Sequence, residues 1–587
     1  MTQFRVWAPR AQNVEVVLRG SDRHPLDGPD EFGWFSADVD DAGPGDDYAY
    51  SLDGGDPRPD PRSPWQPEGV HGPSRLVDHA AFRWADSGWG GGAPLAEAVI
   101  YELHVDTFSA EETYDGVVPH LDHLVALGVT HVELLPVVEY PGRWGWGYDG
   151  VDLYAPNSGD GGPDGLKRLV DACHAKGLGV IFDVVYNHLG PSGNYLGEYG
   201  PYFTQKYGTP WGEAVNLDGP DSDPVREFVV DNALTWLRDY HADGLRLDAI
   251  HAIVDTSALH ILEELAGRVD ELEAVLRKPK LLIAESDLND PRVVADREVG
   301  GYGMDAQWSD DFHHALHALL TGERAGYYAD FGSVGQLAKA LRQAFVYDGG
   351  YSPHRRRRHG RAPTGIPATR FLGYLHNHDQ IGNRAQGERS SVLLARAARS
   401  GDAGAGLLRV AAAIVLLGPW VPMLFQGEEW GASTPFQYFT DHDDPELGKA
   451  VTEGRRREFA SFGWDPSEVP DPQDPETFRR SKLDWDELGR PPHAGILDWH
   501  KQLIALRRST PELGDGRFDT VSVVYDEDER WLVFRHGPVT VACNLGEKPA
   551  TVPIPTGTVA LSSADDVSVD GNRGVLSPES ALVLRTS

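Results

Sequence analysis

The chain has 587 residues, of which 24% are charged, 40% hydrophobic and 10% aromatic, and these values exclude disordered, collagenous and fibrous proteins. Asp and Glu outnumber Lys and Arg by 90 to 53, so the net charge of -37 argues against nucleic acid and anionic membranes as partners. The two cysteines lie in segments that we assign to different domains, so we expect no disulfide. No apolar run reaches about 18 residues, and the first residues have the pattern of a strand instead of a signal peptide, so we expect a cytoplasmic protein.

Two small all-β domains are predicted, one at each end of the chain. In residues 1–88, short alternating runs are separated by Gly, Pro and Asp clusters, which is typical of a β-sandwich. Similar runs fill residues 516–587 and predict a second β-sandwich. The run from Trp89 to Pro94 has no periodicity, and we interpret it as the linker that follows the first sandwich.

Residues 95–515 alternate short, almost wholly apolar runs with helical runs, which is typical of parallel strands covered on both faces. Eight strands alternating with helices specify a closed (β/α)8 TIM barrel, so the predicted fold class is α/β. The strand candidates are residues 98–105, 130–136, 179–188, 244–250, 280–286, 304–308, 370–379 and 421–427. The long Gly-, Tyr- and Pro-rich segment 189–224 after the third strand predicts a lid over the barrel mouth.

Four of the eight predicted strands finish in titratable residues, which in a (β/α)8 barrel meet at one rim. A buried carboxylate without a purpose costs several kcal/mol in desolvation, so this many acids on neighbouring strands predicts a functional site. For Asp183, which lies inside its strand, a structural ion pair and a role in the site both stay open. The residues are Asp183 and His188, Arg246 and Asp248, Glu285, and His378 and Asp379.

Converging acids indicate either metal-assisted chemistry or glycoside hydrolysis. Arg246 lies two residues before Asp248, where its fixed positive charge disfavours a cation and holds the carboxyl ionised. We therefore predict no required metal and no cofactor. An ionised Asp opposed by a protonated Glu, with the carboxyl groups ~5 to 5.5 Å apart, is the arrangement of a retaining glycosidase. Aromatic residues that could stack on sugar rings crowd the same loops: Trp144, Trp146, Tyr148, Tyr186, Tyr199, Tyr202, Phe203, Tyr207 and Trp211.

The motifs DVVYNH, GLRLDAIH, IAES and HNHD, in this order and spacing, resemble the four short motifs of the α-amylase superfamily of glycoside hydrolases. The opening FRVWAP resembles the glucan-associated N-terminal domain of branching enzymes, isoamylases and maltooligosyltrehalose trehalohydrolases. Loop segments such as WGWGYDGVDLYAP, YGPYFTQKYGTPWGEAVN and AESDLNDPRV are similar to the last of these families. The four motifs indicate the superfamily, and the loop segments narrow the choice of family within it.

The resemblance implies a role for each matching residue. Asp248 would be the nucleophile, Glu285 the general acid and base, and Asp379 the carboxylate that grips sugar hydroxyls. The subsite of the attacked glucose would be lined by Tyr148, His188, Arg246 and His378. The implied reaction is hydrolysis of the α-1,4 bond next to the terminal α,α-trehalose unit of maltooligosyltrehalose, with related α-glucans as ligands and a functional pairing with a maltooligosyltrehalose synthase.

Trehalose and maltose are isomers of the same size, so recognition of the leaving trehalose requires polar groups placed for its second glucose. The candidates are on loops beyond the catalytic acids: Asp287, Asp311, His314 and, in the lid, Trp211. His313 is adjacent to His314, and only one of the two is expected to face sugar. The basic run His354–His359 is interpreted as a solvated loop, with anion binding as the alternative.

Two rival functions remain open at this point. A 1,4-α-glucan branching enzyme has the same domains and catalytic acids but transfers the glycosyl group to another chain instead of water. A non-catalytic glucan-binding protein on a degenerate barrel is the second rival, and the presence of all three acids argues against it.

Overall fold

The computed structural model describes residues 1–209, 212–397, 404–461 and 464–586. Its N-terminal part contains two antiparallel sheets, β1–β4 and β3–β2–β5–β6, which enclose a core that includes Phe4, Val16, Phe35 and Tyr50. Phe4 and Val6 on β1, and Val14 and Val16 on β2, are buried at alternate positions and so face this core. The strands are β1 (Thr2–Trp7), β2 (Val14–Leu18), β3 (Asp22–Pro25), β4 (Trp34–Val39), β5 (Asp47–Leu52) and β6 (Ser74–Arg75).

The predicted barrel is confirmed, since eight parallel strands close in the order β7–β8–β11–β14–β15–β16–β19–β20. Each strand is shorter than predicted; β11, β14 and β20 begin at the predicted residue and end earlier. The strands of this part of the chain are β7 (Ile100–Leu103), β8 (His131–Leu134), β9 (Val138–Glu139), β10 (Asp152–Pro156), β11 (Gly179–Val184), β12 (Phe203–Thr209), β13 (Gly212–Val215), β14 (Gly244–Leu247), β15 (Leu281–Ala284), β16 (Ala306–Trp308), β17 (Asp348–Ser352), β18 (Arg357–Gly360), β19 (Phe371–Gly373) and β20 (Val421–Phe425).

Helices cover the outside of the barrel and pack on it through apolar faces. In α4, Leu166, Leu169, Val170 and Cys173 are all buried on one side, as the sequence predicts, so the Cys173 thiol is a core group. The helices are α1 (Val105–Phe108), α2 (Tyr114–Val117), α3 (Leu121–Leu127), α4 (Gly162–Ala175), α5 (Leu196–Tyr199), α6 (Asp223–Asp239), α7 (Ile261–Leu276), α8 (Asp310–Thr321), α9 (Val334–Gln343), α10 (His378–Gly382), α11 (Ser390–Ala397), α12 (Ala405–Leu417), α13 (Pro445–Ser461), α14 (Pro475–Arg480) and α15 (His493–Arg508). No described helix is both long enough and apolar enough to cross a membrane.

The C-terminal part is a second pair of antiparallel sheets, ordered β21–β22–β23–β28–β25 and β24–β27–β26. Val533, Val552, Leu576 and Leu582 are among the apolar residues buried between them. The strands are β21 (Ser522–Asp526), β22 (Trp531–His536), β23 (Val539–Asn544), β24 (Ala550–Pro553), β25 (Thr558–Ser562), β26 (Ser568–Asp570), β27 (Arg573–Leu576) and β28 (Ser580–Arg585).

The lid segment, residues 189–224, contains α5 and the paired strands β12 and β13, and it rests on the N-terminal domain. The Tyr199 hydroxyl donates a hydrogen bond to the Pro59 carbonyl at 2.7 Å, and Arg58 pairs with Glu198 at 3.0 Å. The Tyr202 ring meets Trp7 edge to face, with 5.2 Å between ring centres. The N-terminal domain therefore supports one wall of the barrel mouth.

Candidate active site

The barrel topology brings the three predicted catalytic acids to one rim. Asp248 and Glu285 directly follow β14 and β15, and the Asp248 and Glu285 amides donate to the carbonyls of Val184 and Leu247, both at 3.0 Å, so the strand pairing continues to the acids. The sequence-based prediction that Asp379 ends a strand is wrong, because β19 stops at Gly373. Asp379 lies in the first turn of α10, whose start is capped by the side chain of Asn377.

One buried arginine joins the two central acids. Arg246 Nη1 lies 3.0 Å from Asp248 Oδ1, and its Nη2 lies 2.9 Å from Glu285 Oε2. The same guanidinium donates to both oxygens of Asp183, at 2.8 and 2.7 Å, and lies 4.2 Å from the centre of the Trp308 ring. Asp183 is thus an ion-pair partner of Arg246 beneath the acids, and the guanidinium fixes the separation of Asp248 and Glu285.

Asp248 is held in the ionised form needed of a nucleophile. Its Oδ2 accepts a hydrogen bond from Asn187 Nδ2 at 2.8 Å, and the same amide donates to the Asp248 carbonyl at 2.9 Å. Burial disfavours the charge of Asp248, but Arg246 and Asn187 outweigh burial and lower the pKa of this carboxyl. Asn187 was not among the predicted site residues, although it lies within the DVVYNH motif.

Glu285 is held in the opposite protonation state. Burial raises the pKa of Glu285 well above its usual value; Arg246 opposes this shift and the charge of Asp248 adds to it. The amide of Ala249 donates to Glu285 Oε2 at 2.7 Å. Ala249 has a φ of 38°, a left-handed conformation that costs about 1 kcal/mol or more outside glycine, and this local strain aims the amide at the acid. A low-pKa Asp opposed by a high-pKa Glu is the arrangement predicted for a nucleophile and acid pair.

Tyr148, His188 and His378 surround the same rim. The Tyr148 ring stacks on the His378 imidazole with ring centres 5.1 Å apart, and its hydroxyl donates to Asp183 at 2.5 Å. His188 Nε2 lies 3.1 Å from the Tyr148 carbonyl, and burial lowers the pKa of His188 against the opposing charge of Asp248. The structure thus brings together the predicted residues of the attacked-glucose subsite.

A cavity of about 290 Å³ opens beside Glu285 and Asp379 on one side of the acid pair. It contains two predicted leaving-side residues, Asp287 and His314. Burial lowers the pKa of His314 to about 3, so its imidazole is neutral and can both donate and accept. The cavity is lined by Glu285, Asp287, Asp310, His314, Tyr327, His354, Arg355, Asn377, Asp379, Gln380 and Asn383.

Asp311 does not line this cavity, in contrast to the sequence-based prediction. Its Oδ2 accepts hydrogen bonds from the amides of Val346 and Tyr347, both at 2.7 Å, and from Asn289 Nδ2 at 2.8 Å. It is buried behind the site because it follows Asp310 by one position on α8, which turns its side chain about 100° away from the cavity. Asp310 faces the cavity instead. His313 is likewise buried, bonded to the Leu375 carbonyl and the Tyr328 hydroxyl at 2.7 and 2.8 Å.

Asp311→Ala should therefore lower stability and affect all substrates equally. Removal of the carboxylate leaves the amides of Val346 and Tyr347 without their acceptor, at about 1 to 3 kcal/mol for each lost partner, while Asn289 Nδ2 keeps its bond to the Tyr347 carbonyl. We expect a clear fall in the thermal unfolding temperature, and equal fractional losses of activity on trehalose-ended and plain maltooligosaccharides. The exposed Glu271→Ala on α7 is the matched control. A loss of activity restricted to the trehalose-ended substrate, at unchanged unfolding temperature, would show that Asp311 contacts the leaving trehalose after all.

The interpretation of the basic run His354–His359 as a solvated loop is also wrong, because part of the run lines the site. It forms the turn and second strand of the β17–β18 hairpin, which packs over the cavity. Arg355 Nη2 pairs with Asp287 Oδ2 at 3.0 Å, and His359 Nε2 donates to the Asp287 carbonyl at 2.8 Å. The only sequence signal was a cluster of cations on an acidic chain, which also fits a solvated loop.

Most of the aromatic residues predicted near the mouth pack against protein. Trp146 stacks on Phe436 and Trp144 on Phe478, with ring centres 5.1 and 5.2 Å apart. The Tyr186 hydroxyl donates to Asn232 at 2.7 Å. Trp211 lies outside the described residues. Within the described ranges, no three His, Cys, Asp or Glu side chains form a group that could hold a metal ion.

The closed barrel and its trio of acids define a glycoside hydrolase of the α-amylase class, and comparison with known proteins agrees. The family description "Alpha amylase, catalytic domain" matches residues 104–207, "Carbohydrate-binding module 48 (Isoamylase N-terminal domain)" matches residues 1–66, and "Domain of unknown function (DUF3459)" matches residues 516–583. A crystal structure of a Salmonella typhimurium protein assigned as an alpha amylase superimposes with a TM-score of 0.90 at 37% identity, over 100% of this chain and 97% of that one.

The malto-oligosyltrehalose trehalohydrolase of Rhizobium sp. is 51% identical over 99% of this chain and 97% of its own length. That of Mycobacterium tuberculosis is 48% identical over 100% of both chains. By contrast, a Xanthomonas oryzae 1,4-alpha-glucan branching enzyme is 32% identical over 54% of this chain. The chain belongs to the malto-oligosyltrehalose trehalohydrolase family.

Proposed function

We propose that this enzyme hydrolyses the α-1,4 bond between a maltooligosaccharide and a terminal α,α-trehalose unit, with retention of anomeric configuration, and so releases trehalose. One observation carries the retaining mechanism: Arg246 contacts both Asp248 and Glu285, whose pKa values are shifted in opposite directions. The choice of trehalose as the leaving group follows the activity named for the relatives.

In the first half of the reaction, Glu285 donates its proton to the bridging oxygen while Asp248 Oδ attacks the anomeric carbon. The C–O bond to trehalose breaks, trehalose leaves as a neutral alcohol, and a covalent glycosyl ester forms on Asp248. In the second half, the Glu285 carboxylate takes a proton from water, which attacks the same carbon and frees Asp248. Asp379, Tyr148, His188, Arg246 and His378 hold the distorted glucose.

The leaving trehalose would occupy the cavity beyond Glu285. The Asp287 carboxylate is oriented by Arg355, and His314 and Asp310 supply further hydrogen-bonding groups on the facing α8. Burial raises the pKa of Asp310 to about 7, so near neutral pH its carboxyl can donate as well as accept. These polar groups stay unpaired with an isomer whose hydroxyls point elsewhere, which is how such a site discriminates against maltose.

We further propose a cytoplasmic role in trehalose biosynthesis, downstream of a maltooligosyltrehalose synthase that creates the trehalose end. The reaction that creates the trehalose end leaves it joined to the glucan, so a step that cleaves the adjacent α-1,4 bond completes such a sequence. The rival branching reaction shares the first half-reaction and differs in the acceptor, which is a glucan hydroxyl instead of water.

Product analysis on maltotriosyltrehalose tests the proposal. We expect trehalose and α-configured maltotriose as the first products, seen by proton NMR before mutarotation. Maltopentaose, of equal length, should react at least about 100-fold more slowly because it leaves polar groups of the cavity unpaired. Amylose should keep its iodine staining and gain no α-1,6 linkages. Similar rates on both pentasaccharides, or new branch points in amylose, would contradict the proposed function.

A further inference from the structure

Two glutamates lie side by side in the floor of the barrel, directly beneath the acids. Glu102 on β7 and Glu133 on β8 are Cα partners in neighbouring parallel strands, and each is 1% exposed. They have the same side chain, the same burial and adjacent positions. Because a buried carboxylate without a partner is costly in free energy, the partners of each glutamate indicate its role.

The hydrogen-bond partners of the two glutamates differ completely. Glu102 Oε1 accepts from His378 Nδ1 at 2.6 Å, and its Oε2 accepts from the His378 backbone amide at 3.0 Å. Neither carboxyl oxygen of Glu133 has a hydrogen-bond partner within the described chain. Burial raises the pKa of Glu133 well above its usual value, so this side chain is neutral.

The other nitrogen of His378 also acts as a donor. His378 Nε2 lies 2.8 Å from the Tyr148 hydroxyl oxygen, and the single Tyr148 hydrogen is given to Asp183 at 2.5 Å. Both Asp183 oxygens accept from Arg246, so Asp183 is an acceptor in its ionised form; burial raises the pKa of Asp183 to about 7, and this form dominates above that pH. Tyr148 must then accept from Nε2, and with Nδ1 donating to Glu102, both ring nitrogens carry hydrogens.

We propose that Glu102 is a positioning residue that holds His378 as an imidazolium, with its Nε2 hydrogen aimed at Tyr148, Asp379 and a hydroxyl of the bound glucose. The inference rests on the proposed function, in which His378 contacts the attacked sugar. A neutral imidazole bonded to Glu102 through Nδ1 would present a lone pair at Nε2 and would repel the Asp379 carboxylate, whose Oδ1 is 3.6 Å away.

The charged surroundings of His378 support this assignment. Burial lowers the pKa of His378, but Asp379 and Glu102 outweigh burial and raise it to about 9 against the opposing charge of Arg246. Among the described residues, Glu102 is the one carboxyl that hydrogen bonds to the ring, so its neutralisation should return the pKa of His378 toward the ordinary value of about 6.5. The titratable and charged groups that face His378 from its own and neighbouring elements are Glu102, His104, Glu133, Tyr148, Asp183, Arg246, Asp248 and Asp379.

The test compares Glu102→Gln with Glu133→Gln, the same substitution at the neighbouring position. In Glu102→Gln, the fraction of imidazolium falls between pH 5 and pH 8, so its kcat on maltotriosyltrehalose relative to Glu133→Gln should fall about 30-fold over that range. Glu133→Gln replaces a neutral group by its neutral analogue and should stay close to the wild-type profile. Glu102→Asp keeps the charge and should recover most of the pH 8 activity.

A titration of histidine-labelled protein by NMR provides a readout that needs no substrate. The His378 signal, assigned by its absence from His378→Gln, should remain protonated to pH 8 in the wild type and in Glu133→Gln, and should titrate near 6.5 in Glu102→Gln. A wild-type signal that titrates below pH 8, or a Glu102→Gln loss that is equal at both pH values, would overturn the proposal. Loss of the proposed function alone would show as a wild type inactive on maltotriosyltrehalose with an unchanged titration.

Discussion

Asp248→Asn should reduce kcat on maltotriosyltrehalose by at least about 10⁴-fold, or roughly 5 kcal/mol of barrier, with little change in the unfolding temperature. The amide cannot form the covalent ester, whereas its one oxygen can still accept from Arg246. Its NH2 group replaces the oxygen that accepts from Asn187, and Asn187 keeps its bond to the backbone carbonyl of residue 248. The thermal unfolding curve and the binding of maltotriose serve as the controls for an intact fold. Retention of more than about a tenth of the activity would remove Asp248 from the nucleophile role.

Rescue of activity by azide tests whether Asp248 is the nucleophile or only supports the structure of the site. In Asp248→Ala, the space left by the carboxylate admits a small anion, and Arg246 remains beside it to attract the negative charge. We expect azide to restore turnover of an activated substrate such as α-maltotriosyl fluoride and to give a β-configured glycosyl azide, inverted relative to the substrate. An α-configured azide would show that another group still forms the covalent intermediate.

Glu285→Gln should reduce kcat on maltotriosyltrehalose by about 10²- to 10⁴-fold because the trehalose oxygen then leaves without a proton. Fluoride needs less protonation, so formation of the glycosyl ester from α-maltotriosyl fluoride should be less affected than release of trehalose. An equal loss of that first step with both leaving groups would contradict the assignment of Glu285 as the general acid.

The pH dependence of activity provides a second test of Glu285 as the general acid. Glu285 must be protonated in the first half-reaction, so wild-type activity should fall as pH rises through its raised pKa. In Glu285→Gln the titrating proton is absent, so this fall should disappear from the residual activity below about pH 9, where the His378 imidazolium itself titrates. An unchanged alkaline limb in the variant would assign it to another group.

The parts of the site that could be predicted from the sequence are those tied to a strand end. Glu285 follows a wholly apolar run, and Asp248 follows a run that is apolar except for Arg246. The carboxyl ends of parallel strands in a closed barrel meet at one rim, so this pattern places the two acids together. The barrel itself is specified by the same eight runs. The runs do not specify where the strands end: HNHD continues a strand-like pattern, but Asn377 caps α10, and Asp379 lies in the first turn of that helix.

The parts that could not be predicted depend on side-chain direction and on contacts between distant segments. Asp310 and Asp311 are adjacent acids at the start of α8, and only the rotation of the helix decides which one faces the cavity. Arg355 reaches Asp287 across 68 positions of sequence, through a hairpin that packs over the barrel. No local pattern encodes such a pairing. Glu102 is equally hidden, since a single acid within an apolar strand does not reveal its partner.

The contacts between the lid segment and the N-terminal domain also affect the order in which the enzyme becomes functional during synthesis. The N-terminal domain is translated before the barrel, and domains generally fold as units in the order of synthesis. The surface formed by Arg58, Pro59 and Trp7 is then complete before Glu198, Tyr199 and Tyr202 are translated. The first domain can therefore act as a template on which the later segment settles, so that the mouth of the barrel is shaped while the strands that supply the catalytic acids are still being made.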